Sequence, residues 1–125
     1  MASDSIRLAP PIPVLRIFDV AKAYEFYCEY LGFTVDWEHR FEPDLPLYAQ
    51  LSRSEAVLHL SEHHGDGTPG TVVWIAVADI HGLHAELAGK DYGYARPGSP
   101  EDGPGGPGFD ITDPFGNSLR FAQPD

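Results

Sequence analysis

Two groupings of side chains in this 125-residue chain could do chemistry, and each implies a different kind. Asp36-Trp37, with Phe41 close behind, sets a carboxylate beside aromatic rings, a combination that holds a flat heteroaromatic cation by charge and stacking. His59, in Ala56-Val57-Leu58-His59-Leu60, and Arg120, in Ser118-Leu119-Arg120-Phe121, would pair a general base with an anion stabiliser if both faced one cleft. The other imidazoles group less usefully. His63-His64 with Asp66 sit on a Gly-rich stretch where adjacent residues point apart, and His81 and His84, a helical turn apart, read as an exposed surface pair. Cys28 is the only cysteine, so no internal disulfide or cysteine-based metal site exists, and it reads as a packed or half-buried thiol.

Other catalytic signatures are missing from the sequence: a Gly-x-Ser-x-Gly elbow, a P-loop, and a Gly-x-Gly-x-x-Gly following a strand. Gly103-Pro104-Gly105-Gly106-Pro107-Gly108 superficially resembles a phosphate loop, yet its prolines lack N–H donors, no helix follows and no lysine is near. A lid or a plain surface loop fits it better.

The elements that must position these residues follow from periodicity and punctuation. Residues 1–11 are a Ser/Asp/Pro arm, and 12–18 are the first strand candidate. Asp19 caps a helix running to about Leu31, Gly32 stops it, and 33–39 read as a strand with Phe33, Val35 and Trp37 on one face. Residues 47–52 and 56–61 form a hairpin closed by Arg53-Ser54-Glu55, and 62–70 are a polar linker. The pattern then restarts with a β-branched strand at 71–77 containing Trp74. Asp79 caps a shorter helix carrying Leu83 and Leu87, and Tyr92-Gly93-Tyr94 echoes Leu31-Gly32-Phe33. After the Pro/Gly-rich stretch 97–108, strands at 109–112 and 118–122 flank Asp113-Pro114-Phe115-Gly116-Asn117. Asp19-Val20 recurs as Asp79-Ile80 sixty residues on, and Val57-Leu58-His59-Leu60 as Ser118-Leu119-Arg120-Phe121 sixty-one on. Two βαβββ modules, about 12–62 and 71–123, each too small to bury its own sheet, would pair into one α+β domain with curved strands around a cleft.

Composition narrows the partners. At 42% apolar and 12% aromatic residues the chain is not disordered, and no apolar run nears the roughly 18 residues of a membrane span. The start, Met1-Ala2-Ser3-Asp4-Ser5, lacks a basic n-region and an apolar stretch, which predicts a cytoplasmic protein. Nineteen acidic residues against eight basic ones leave a net charge of −11, which opposes nucleic acid and anionic membrane and favours cationic partners.

Asp113-Pro114-Phe115-Gly116-Asn117 with its following strand, together with the tyrosine-rich helix that Asp19 caps and its exit through Leu31-Gly32-Phe33, resembles the vicinal oxygen chelate superfamily of glyoxalase, bleomycin-resistance and extradiol-dioxygenase proteins, over roughly residues 12–123. The resemblance implies a homodimer in which modules of two chains complete each cleft. It also implies four metal-ligand positions, which fall here on Pro13, His59, Val72 and Arg120. Only His59 offers a donor, and a permanent guanidinium beside it opposes a divalent cation, so no metal or other cofactor is expected. Within the superfamily this leaves the bleomycin-resistance branch, which sequesters a bulky cationic antibiotic without chemistry. Leu31-Gly32-Phe33-Thr34-Val35-Asp36-Trp37 is similar to that branch's segment, where a carboxylate meets ligand charge and a ring packs on the ligand. Trp74 resembles its strand tryptophan. The implied ligand-binding set is Asp36, Trp37, Phe41, His59, Trp74, Phe109 and Arg120. One departure is that the branch's loop tryptophan falls on Gly105, a loss Tyr92, Tyr94 or a partner chain would have to make good. The alternative is a glyoxalase-like or dioxygenase-like lyase or isomerase, metal-dependent or metal-free with His59 and Arg120 as its catalytic pair.

Overall fold

In a computed structural model, which describes residues 5–93 and 95–125, the short-range signals act as expected at both helix starts. The Asp19 carboxylate accepts from Lys22 N (2.9 Å) at the head of α1 (Val20–Tyr24), and Asp79 accepts from Gly82 N (2.9 Å) at the head of α2 (Ile80–Ala88). The first helix does not stay α. From Glu25–Tyr30 it widens into a π-helical segment, with Leu31 N bonding the Phe26 carbonyl at 2.9 Å, and this segment seats Phe26, Tyr27 and Tyr30 in the core. Gly32, at φ +79°, ends it, and a Cβ there would lie 3.0 Å from the Arg53 guanidinium.

Seven strands form two sheets among the described residues. The first has the order β1 (Val14–Arg16), β4 (Ala56–Ser61), β3 (Tyr48–Arg53), β2 (Thr34–His39), with β1 and β4 parallel and the other neighbours antiparallel. The second has the order β5 (Val72–Ala76), β7 (Ser118–Ala122), β6 (Gly108–Thr112), again with one parallel and one antiparallel pair. The repeat is exact at its centre: Val14 pairs with His59 as Trp74 pairs with Arg120. The second unit is nonetheless one strand short of βαβββ among the described residues. Between α2 and β6 there is only an isolated bridge, Glu101 to Gly108, because Pro97, Pro100, Pro104 and Pro107 withhold ladder donors. Tyr94, part of the expected echo of Leu31-Gly32-Phe33, lies outside the described residues.

One core serves both sheets. Leu15, Leu51, Leu58 and Leu60 of the first, Phe109, Ile111, Leu119 and Phe121 of the second, and Phe26, Tyr27, Ile80 and Leu87 of the helices belong to the same buried cluster. The Asp113 turn is its polar joint. Tyr27 Oη donates to Asp113 Oδ2 (2.6 Å), Phe115 N and Asn117 N donate to Oδ1 (2.8 Å each), and Asn117 Nδ2 reaches Arg16 O (3.0 Å). Burial and the neighbouring carboxylate push the Tyr27 hydroxyl well above its ordinary pKa, so it stays a donor. No helix among the described residues is long and apolar enough to cross a membrane.

Since the inner face of each sheet is spent on this shared core, each outer face is left open. Among the exposed large apolar side chains are Trp37 and Phe41 by the first sheet and Val72 and Trp74 on the second.

Candidate ligand-binding face

The first open face is built by an irregularity. Val35 pairs with Leu51 toward the core, but the β2–β3 register slips between Val35 and Trp37, so that Trp37 faces Gln50. This bulge puts both Asp36 and Trp37 on the outer face, where strict alternation would have sent Trp37 inward with Phe33 and Val35. Phe33 is 5% exposed and Trp37 is 43% exposed.

Around the bulge the side chains are tied to one another. Asp36 accepts from Gln50 Nε2 (3.0 Å) and Ser52 Oγ (2.9 Å). His59 Nε2 meets Gln50 Oε1 at 2.9 Å, and His59 Nδ1 meets Tyr48 Oη at 2.7 Å. Trp37 stacks on Tyr48, with ring centroids 6.1 Å apart at 12°, and meets the His59 ring at 5.4 Å in an edge contact. Phe41, beyond the end of β2, packs edge-on against His39 (4.6 Å) and His63 (6.1 Å). Burial lowers the pKa of His59, and burial followed by the charge of Asp66 raises that of Tyr48, so both are neutral at pH 7. A carboxylate, an indole and a supported imidazole thus share one partly exposed surface, suited to a flat cation.

Tyr48, Gln50 and Ser52 were missed by the motif reading. Their signal was present in the sequence: at alternate positions of β3 they form its outward row, opposite the buried Ala49 and Leu51.

The second open face carries Trp74 and Arg120 side by side. Trp74 is 47% exposed, and Arg120 Nε lies 3.3 Å from Asp110 Oδ1. With Glu101, Asp102 and the Gly-rich loop they bound a cleft of about 530 Å³. Gly105, at φ +85°, lies against Trp74, and a Cβ there would stand 2.9 Å from Cζ2 of the indole. The position expected to carry a stacking tryptophan is therefore filled from beneath by Trp74 itself.

Phe109 borders the same cleft as a largely buried residue, 6% exposed and packed on Phe121 (5.7 Å) and His84 (5.8 Å). Its place on β6 next to outward Asp110 turns it inward. His84, expected to be exposed beside His81, is half-buried through that contact. His59 and Arg120 stand on different sheets and not on neighbouring strands, so this chain does not assemble them as a catalytic pair. The Asp66 carboxylate is held by Ser61 Oγ (2.9 Å), which removes it from any cluster with His63 and His64. Burial, then the charge of Glu29, raises the Cys28 thiol pKa and disfavours a thiolate. A further cleft of about 470 Å³, between the β3–β4 turn and α2, is lined by Arg53. Its guanidinium is satisfied by both Glu86 oxygens (2.8 Å each) and by Leu31 O (2.7 Å).

The superfamily's metal does not fit these side chains. The strand register sets Val14, not Pro13, beside His59, and Trp74, not Val72, beside Arg120, because parallel partners share a face. None of these four neighbours is a ligand for a divalent cation, and both nitrogens of His59 are engaged. Among the described residues no three His, Cys, Asp or Glu side chains converge as a metal site would require.

The profile of a family described as "Glyoxalase superfamily protein" matches residues 2–125. Among solved structures, a bleomycin-binding protein from bleomycin-producing Streptomyces verticillus, complexed with copper(II)-bleomycin, is 29% identical with a TM-score of 0.73, and the match covers 96% of this chain and 99% of that one. The bleomycin resistance determinant encoded on transposon Tn5 is 23% identical with a TM-score of 0.72, over 94% of this chain and 99% of that one. The trypanothione-dependent glyoxalase I of Leishmania major is 23% identical with a TM-score of 0.63, over 88% and 82%. No curated protein matches the chain by sequence.

Proposed function

The chain belongs to the glyoxalase superfamily, and from that premise we propose that it binds a cationic, aromatic small molecule without transforming it, with a bleomycin-type antibiotic as the specific ligand. One observation carries this reading. The polar centre of the first open face is a carboxylate and an imidazole already satisfied by neighbours and flanked by stacked rings, an arrangement that holds a ligand and leaves no free base or metal donor. The likeness to a bleomycin-binding protein along nearly the whole chain supports it. So does the net charge of −11, whose field draws cations to the surface.

The proposal includes a homodimer. The shared core lies behind both open faces, so one chain cannot close its own Trp37 face with its Trp74 face. A second copy brings a Trp74 face to each Trp37 face and encloses two equivalent clefts. Sedimentation should then give twice the 13.7 kDa chain mass, and a concentration-independent monomer contradicts the dimer.

Calorimetric titration of metal-free bleomycin tests the binding role. Submicromolar binding at one ligand per chain, weakened in Trp37→Ala, is the expected result. Absence of heat together with turnover of a hemithioacetal or catechol substrate would replace it with the enzyme reading.

A further inference from the structure

The polar side chains of the first open face form a relay whose hydrogen-bond directions can be worked out from one end. Asp36 offers only acceptors, so Ser52 Oγ and Gln50 Nε2 donate to it at 2.9 and 3.0 Å. The reversed amide would set the Gln50 oxygen against the carboxylate, acceptor against acceptor. With its nitrogen turned to Asp36, Gln50 presents Oε1 to His59 Nε2 at 2.9 Å, and a proton must lie between them, so Nε2 carries it. A neutral imidazole then has a bare lone pair at Nδ1, and Tyr48 Oη, 2.7 Å away, donates into it. The only hydrogen of the Tyr48 hydroxyl is thereby spent inside the protein.

We infer that this relay fixes Tyr48 as a hydrogen-bond acceptor toward the ligand, so that the face selects aromatic cations carrying their own N–H donors over quaternary ones. The inference rests on the proposed binding role and makes Tyr48 a specificity-determining residue of that site. Tyr48 and Gln50 are alternate residues of one strand, so Tyr48 lies about 7 Å along the face from the side chain that holds Asp36. Because Tyr48 already covers one face of the Trp37 indole, a flat cation would reach both acceptors from beside that indole and not from its far face. A donor-bearing cation meets a tyrosine lone pair at one end and a carboxylate at the other. A quaternary cation of the same shape gives neither acceptor a ligand donor, a loss on the order of tenfold in affinity for one or two hydrogen bonds.

Two measurements test this separately. Long-range proton–nitrogen NMR of histidine-labelled protein, with the His59 signals identified through His59→Gln, reports which ring nitrogen is protonated. The proton is expected on Nε2, and finding it on Nδ1 overturns the relay. Fluorescence titration then compares 9-aminoacridinium with 10-methylacridinium, which has the same ring system and charge but no N–H. The amino dye should bind about tenfold tighter, and Tyr48→Phe, which keeps the ring under Trp37, should narrow the gap to about threefold. Equal affinities in the native protein, or an unchanged preference in Tyr48→Phe, overturn the inference. Binding of neither dye defeats it together with the binding reading, and the NMR result then shows whether the relay itself was assigned correctly.

Discussion

The two sheets share one repeated pattern, and they differ most at the position where they match best. Val14 beside His59 in the first becomes Trp74 beside Arg120 in the second. On the first sheet the central side chain is neutral and bound to neighbours on its own sheet. On the second it is a permanent cation in an exposed ion pair with Asp110, next to a half-exposed indole. The edges differ as well. The first sheet keeps a full β2 whose bulge delivers Asp36 and Trp37, whereas the second has a Pro/Gly-rich loop there whose Gly105 rests on Trp74. The repeated scaffold thus carries one face whose polar side chains are tied to one another and one whose central charge is held by a single exposed ion pair.

Cutting the joint between the halves should have the largest effect. Asp113→Ala leaves the buried Tyr27 hydroxyl and the turn's N–H groups without acceptors, and should cost about 3 kcal/mol or more in urea denaturation. A change below about 1 kcal/mol would mean that the halves are held by apolar packing alone. Next come the rings. Trp37→Ala should weaken antibiotic binding by roughly 10- to 100-fold and Trp74→Ala by about tenfold, since both indoles are half-exposed but only Trp37 is backed by stacked Tyr48. If Trp74→Ala binds as well as the native protein, the second sheet is no wall of the site. Asp36→Asn should cost several-fold and flatten the salt dependence of affinity, measured between low and physiological ionic strength.

The smallest effect is on pH dependence. Folding lowers the pKa of His59, so the unfolded chain takes up its proton first as pH falls. Stability conferred by neutral His59 is therefore present above the ordinary histidine value, about 6.5, and is lost as pH drops below it. His59→Gln should reduce the loss of stability between pH 7 and 5 in thermal melts, and an unchanged slope would assign that loss to carboxylates.

What could be read from the sequence was local or repeated. Asp19 and Asp79 as caps, Gly32 as a stop, and the Asp113 turn depend on a few adjacent residues, and the sixty-residue spacing carried the topology. What escaped depends on counting or on distance. An inserted residue breaks a period-two reading without leaving a mark in composition, so Trp37 was grouped with Phe33 and Val35. The π-helical segment of the first helix has the same apolar content as an α-helix, and the lost strand shows only as prolines whose effect depends on pairing partners. Phe109 entered the ligand set through the resemblance alone; it borders the Trp74 cleft, but its place on β6 leaves it mostly buried, which a motif does not reveal. The Tyr48–His59–Gln50–Asp36 relay joins three strands, and no window of sequence contains it.

The chain has two tryptophans, one on each open face, and two indole N–H signals therefore report directly on whether both faces line one ligand site. In a proton–nitrogen NMR titration with metal-free bleomycin, both indole signals should shift together and saturate at one ligand per chain. Movement of neither signal at saturating antibiotic would contradict the account.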